Sequence, residues 1–125
     1  MTEKGLSAVP DYQKIIDVIN LYVEGWKGDV DKFKSAFDED AWIFFIDASG
    51  KRHKYLLTDC FESWSRTGWD IDAQIVSINQ VGSAANVIMN FNNLTDPAAS
   101  FVDFHNMLEV NGRWLITNKT AVHID

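Results

Sequence analysis

Cys60 is the one cysteine in 125 residues. An internal disulfide is therefore excluded, and a reducing compartment fits. No apolar run approaches the roughly 20 residues that span a bilayer. The N-terminal stretch MTEKGLSAVPDYQK has no apolar signal-peptide core. The expectation is a cytoplasmic protein with no membrane partner. Basic residues are scarce: 11 Lys and Arg stand against 18 Asp and Glu, a net charge of −7. Such a surface repels phosphate backbones, so nucleic acid is not an expected partner. There is no cysteine pair, no HExxH and no histidine pair at helical spacing, so no metal is expected. The seven glycines are scattered at turns instead of gathered in a phosphate loop. No cofactor is expected.

What is present suits one soluble domain over residues 1–125, with residues 1–9 as a flexible lead-in. The stretch Ser100–Ile124 organises the rest. It reads as two long strands joined at Asn111-Gly112, the pair that a type I′ hairpin turn favours because both central residues need φ > 0. An unbroken hairpin sets Leu108 opposite Leu115, His105 opposite Asn118 and Asp103 opposite Thr120. Because side chains alternate, one face then carries Asp103, His105, Met107, Trp114, Asn118 and Thr120. Phe104, Leu108, Leu115 and Lys119 fall on the other face. A longer turn would bring Lys119 inward. An apolar lining around a small polar cluster is the composition of a ligand cavity.

Upstream, Pro10 and Asp11 supply helix-start chemistry. Tyr12, Ile15, Ile16, Ile19, Tyr22, Val23 and Trp26 then form one apolar stripe. Gly28 ends that helix, and Asp29 caps a second, shorter one over residues 30–37. Ala41 to Ile46 is a strand, Asp47 to Gly50 a turn, and Lys51 to Tyr55 a short return strand. Leu57 to Thr67 reads as a third helix. Asp70 to Gln80 and Ala84 to Asn92 are strands about Gly82-Ser83. Helices first and antiparallel strands after argue α+β, with helices on one face of a sheet. Apolar residues on both faces require a second cover, and a partner subunit is the simplest.

The order αα-β-β-α-ββββ resembles the nuclear-transport-factor-2-like superfamily, the SnoaL-like or cystatin-like α+β cone. The likeness rests on Tyr22, Gly25, Trp26, Gly28, Asp29, Phe33 and Phe37, on the Asp47 to Gly50 turn, and on Asp103 to Leu108 with Asn111 to Ile116 and Lys119. Within the superfamily the pattern is similar to small bacterial proteins filed as "putative lumazine-binding" or of unknown function. The resemblance implies a curved, mostly antiparallel sheet wrapped around the long helix, an internal cavity, and a homodimer through the sheet's outer face. It also implies the range of the fold: cofactor-free acid–base enzymes of isomerase, dehydratase or cyclase type acting on apolar rings, and non-catalytic members that bind proteins or only dimerise.

Asp103 and His105 are the candidate catalytic pair. Two apart on one strand, they stand roughly 6–7 Å apart by strand rise, so the carboxylate can orient the imidazole. A satisfied internal hydrogen-bond network is the bland alternative. Asn118 and Thr120, across the strand pair, complete the polar cluster, with Met107 and Trp114 beside it. Tyr22, Trp26 and Trp64 either pack in the core or wall the cavity mouth, where Tyr22 would offer a hydroxyl. His123 belongs at the rim and His53 in a solvated turn. Cys60 is filler, since a reactive thiol needs basic neighbours. The expected partner is a small apolar or aromatic ligand. The alternative is a non-enzymatic dimerisation or protein-binding module.

Overall fold

The computed structural model describes residues 11–123. The lead-in expected over residues 1–9 and the Pro10 helix start lie outside them. The elements follow the expected order: α1 (Tyr12–Trp26), α2 (Val30–Ala36), β1 (Phe37–Ile46), β2 (Arg52–Leu56), α3 (Phe61–Arg66), β3 (Ile71–Val81), β4 (Ala84–Asn93), β5 (Phe101–Val110) and β6 (Arg113–His123). One curved six-stranded sheet has the order β2-β1-β6-β5-β4-β3. Its pairings are antiparallel except β1 with β6. The fold is the α+β cone.

The sheet wraps around α1. Five β-branched residues in this helix oppose its formation by several tenths of a kcal/mol each. Burial outweighs that cost. Ile15, Val18, Ile19, Tyr22, Val23 and Trp26 are all buried, and each large apolar side chain contributes about 1.5–3 kcal/mol on leaving water. Gly25 permits the corner into α2: a Cβ there would overlap the Phe33 ring. Asp29 caps α2 by accepting from the Lys32 N–H at 3.3 Å.

Two boundaries differ from expectation. Phe37, read as the last inward residue of α2, takes extended dihedrals and opens β1, still buried. The helix expected from Leu57 begins as a 3-10 turn, Leu57–Asp59, and becomes α-helical only at Phe61. β2 feeds straight into this turn, and Leu56 has no side chain that could cap a full helix start.

The closing hairpin turns at Asn111 and Gly112, both at positive φ (51° and 81°). Val110 pairs with Arg113, Leu108 with Leu115 and Met107 with Ile116. A β-bulge then intervenes. Asn106 pairs with Asn118, so Thr117 is the extra residue. One extra residue turns everything beyond it to the opposite face. Lys119 and Ala121 are therefore buried, not outward, and Asn118 and Thr120 face out. Asn118 instead accepts from Asn106, which accepts from Asn86, at 2.9 and 3.0 Å, a polar ladder across three strands of the outer face. Around that ladder Phe104, Leu108 and Val122 are 36–51% exposed.

Candidate functional site

A cavity of about 470 Å³ opens between the inner face of the sheet and the turn around α3. Its walls are mainly rings: Trp26 from α1, Trp64 from α3, Trp69 from the loop after it, Phe91 from β4 and Phe101 from β5. Trp26 lies parallel to both Trp64 and Trp69, with ring centres 4.7 and 5.0 Å apart. Phe45 and Tyr55 wall the side formed by β1 and β2. A second groove of about 650 Å³ shares Phe45 and Ala121 with it and is bordered by Thr120 and His123.

The bulge at Thr117 delivers Lys119 to the cavity wall. Its side chain is only 4% exposed, and its Nζ lies 3.6 Å from Asp103 Oδ1. The rings of Trp64, Tyr22 and Phe91 surround the amine at 5.0, 5.3 and 5.9 Å. An ammonium is attracted to such ring faces. Behind the amine, the Tyr22 hydroxyl donates to Asp103 Oδ2 at 2.8 Å.

This trio is buried, with Lys119 alone reaching the cavity wall, and its charges respond. Burial pushes the Asp103 carboxyl up, against the opposing pull of Lys119 and the Tyr22 hydrogen bond. Burial pushes the Lys119 amine down, against Asp103. Each partner is thus drawn toward its neutral form by desolvation and held ionised by the other. Tyr22 is raised well above the usual phenol range by burial and then by the Asp103 charge. His105 is pushed well below the usual imidazole range by burial first and Lys119 second.

The residues singled out in the sequence separate into four groups. Trp26 and Trp64 line the cavity. Asp103, His105 and Tyr22 lie together in the layer beneath Lys119, off the cavity wall. His105 Nε2 is 3.7 Å from Asp103 Oδ2, too long for a hydrogen bond. Among the described residues neither imidazole nitrogen has a hydrogen-bond partner. Met107 and Trp114 are core residues away from the cavity. The Trp114 indole reaches Asp11 near the start of α1 at 3.2 Å. Asn118 and Thr120 do not join the site, because the bulge turns them outward.

Other expectations also change. His53 is not merely solvated: it stacks on Phe45 at 4.8 Å and its Nε2 meets Asp47 Oδ2 at 2.7 Å. Cys60 lies on the cavity wall, its thiol pushed up by burial and by Asp59, with Lys119 opposing. His123 is exposed, with Nε2 2.7 Å from the Ala98 carbonyl. Lys119, Trp69, Phe91, Tyr55 and Phe45 are among the lining residues that sequence reasoning did not place. His53 and Tyr55, two apart on one strand, carried a signal of shared facing; the Thr117 bulge carried none.

A family model described as "Putative lumazine-binding" matches residues 10–120. Among solved structures, the chain is similar to an NTF2-like protein of unknown function from Shewanella baltica OS155, at 28% identity and TM-score 0.80 over 92% of this chain and 94% of that one. An NTF2-like protein of unknown function from Methylobacillus flagellatus KT is 23% identical, with TM-score 0.83 over 99% and 100%. A domain of unknown function with a cystatin-like fold from Nostoc punctiforme is 13% identical, with TM-score 0.74 over 95% and 80%. The last two likenesses concern the fold alone. No curated protein matches the chain.

Proposed function

The chain belongs to the family described as putative lumazine-binding, and on that footing we propose that it binds a small planar ring compound in the aromatic cavity. One observation carries this reading: the buried Lys119 amine lies on the wall of a ring-lined cavity, with Asp103 3.6 Å away. Apolar walls with a few placed polar groups are what a small-molecule site requires. The rings take the faces of a flat ligand, and the amine takes a carbonyl or an acidic ring edge. Lumazine, a fused ring bearing carbonyl groups, has that chemistry.

The finer proposal is cofactor-free proton transfer on the bound ring. Lys119 meets the ligand, and Asp103 takes or returns the proton from below. His105, enclosed and held neutral, supports this layer without reaching the ligand. A homodimer through the outer sheet face completes the proposal. The apolar side chains there also favour the second reading, a non-enzymatic dimerisation or protein-binding module.

Calorimetric titration with lumazine and with naphthoate tests the site. Saturable binding at one site per chain is expected, weakened at least roughly tenfold in Lys119→Met, the scale of one charge-assisted hydrogen bond. A folded protein that takes up neither compound leaves the module reading in possession.

A further inference from the structure

A second polar device stands where β1 and β2 wall the cavity. Asp47, at the end of β1, has one carboxylate oxygen engaged by the Ser49 N–H, the Ser49 hydroxyl and the Lys51 N–H, at 2.9, 2.6 and 3.0 Å. Its other oxygen faces His53 Nε2 at 2.7 Å, and His53 Nδ1 lies 3.1 Å from the Tyr55 hydroxyl. The three residues form a chain from a fixed turn to a ring on the cavity wall.

The proton positions follow from the partners. The hydrogen bonds from Ser49, followed by His53, hold the Asp47 carboxyl well below its usual range, so it is an acceptor at both oxygens. In a neutral imidazole one nitrogen donates and the other accepts. With His53 neutral, the carboxylate selects the tautomer with the proton on Nε2, and Nδ1 accepts from the Tyr55 hydroxyl. That commits the single phenolic proton to His53, and the oxygen offers only lone pairs elsewhere. Stacking of His53 on Phe45 at 4.8 Å, with an interplanar angle of 15°, holds the plane of the imidazole.

We propose that Tyr55, held as an acceptor by His53 and Asp47, sets the class of ligand at this wall: a planar ring that presents an O–H or N–H donor to it. This rests on the cavity being the ligand site. The ligand is then two-ended, with a carbonyl or acidic group for Lys119 and a donor for Tyr55. A tyrosine free of His53 would accept or donate equally and could not discriminate. Tyr55 is 45% exposed, so an analogue without a donor leaves its oxygen to water and forgoes one hydrogen bond.

Three naphthoates test the proposal: unsubstituted, and with either a hydroxyl or a methoxy group on the ring remote from the carboxylate. Affinities are read by calorimetry for the wild type, Tyr55→Phe and His53→Gln. In the wild type the hydroxyl compound should bind roughly tenfold tighter than the methoxy compound, the worth of one hydrogen bond. Tyr55→Phe should erase that preference. His53→Gln, which keeps the phenol but removes the imidazole that orients its proton, should reduce the preference. Equal binding of the two substituted compounds to the wild type overturns the proposal while the cavity reading stands. So does a preference that survives Tyr55→Phe. Failure of all three naphthoates while lumazine binds overturns this inference alone; failure of all four compounds removes the cavity reading with it.

Discussion

Lys119 and Asp103 face each other at 3.6 Å on the inner side of the sheet, although in a straight hairpin they would stand on opposite faces. The extra residue at Thr117 makes this possible. The pair is buried, Asp103 fully and Lys119 with its side chain 4% exposed at the cavity wall, so both charges are largely cut off from water. Removing one partner of a buried ion pair typically costs about 3–5 kcal/mol, because the other charge is stranded.

Lys119→Met should therefore lose about that much stability at neutral pH. Adding Asp103→Asn should recover part of the loss, since no charge is then left behind. Urea unfolding of the two single variants and the double variant gives the coupling. A single-variant loss below ~1 kcal/mol, set against the same principle, would mean the two groups do not act as a pair.

His105 predicts a pH dependence. Its imidazole is held well below 6.5 by burial, then by Lys119. Between its folded pKa and 6.5 the unfolded chain binds the proton and the folded one does not. The stability from this group is fully present above 6.5 and falls as pH drops below it. The slope is up to about 1.4 kcal/mol per pH unit for one proton. Asp103, raised by burial, works in the opposite direction as pH falls. Comparison with His105→Gln isolates the histidine: the variant should lose the extra slope. Parallel stability curves for the two proteins below 6.5 would contradict it.

Trp114 is a core anchor, 3% exposed, on the strand residue that follows Arg113. Trp114→Ala should destabilise by about 3–5 kcal/mol, as truncation of a large buried aromatic does. Thermal or denaturant unfolding measures it, and a loss under ~1 kcal/mol would be far outside that range.

Leu108, Phe104 and Val122 are exposed on the outer sheet face. If two copies meet there, each should bury about 800 Å², and Leu108→Glu should shift the protein toward monomer. Light scattering at micromolar concentration reads this directly. A wild type that is already monomeric at such concentrations speaks against the dimer.

Local chemistry made much of the fold legible. Asn111-Gly112 fixed the turn, and register held through Met107 and Ile116 because each pairing follows from the last. The helical stripe of Tyr22 and Trp26 was visible for the same reason: period and burial coincide. Thr117 broke the chain of inference. A threonine suits a regular strand as well as a bulge, and its hydroxyl contact to the Asn106 carbonyl at 3.1 Å exists only once the bulge has formed. From that residue onward Asn118, Lys119 and Thr120 changed sides together. The Asp47, His53 and Tyr55 chain was hidden differently. Its alternation was readable, but the Ser49 and Lys51 contacts that aim the carboxylate come from the three-dimensional course of the turn.

The three parallel indoles of Trp64, Trp26 and Trp69 are near enough for their electronic transitions to mix. Light absorbed by one is shared with its neighbours, and a chiral array of this kind gives an exciton couplet in circular dichroism. Its sign and size depend on the angles between the rings. Two of those rings come from α1 and α3, and the third from the loop beyond, so the couplet would report how these segments are arranged around the cavity. The protein carries its own unlabelled optical gauge.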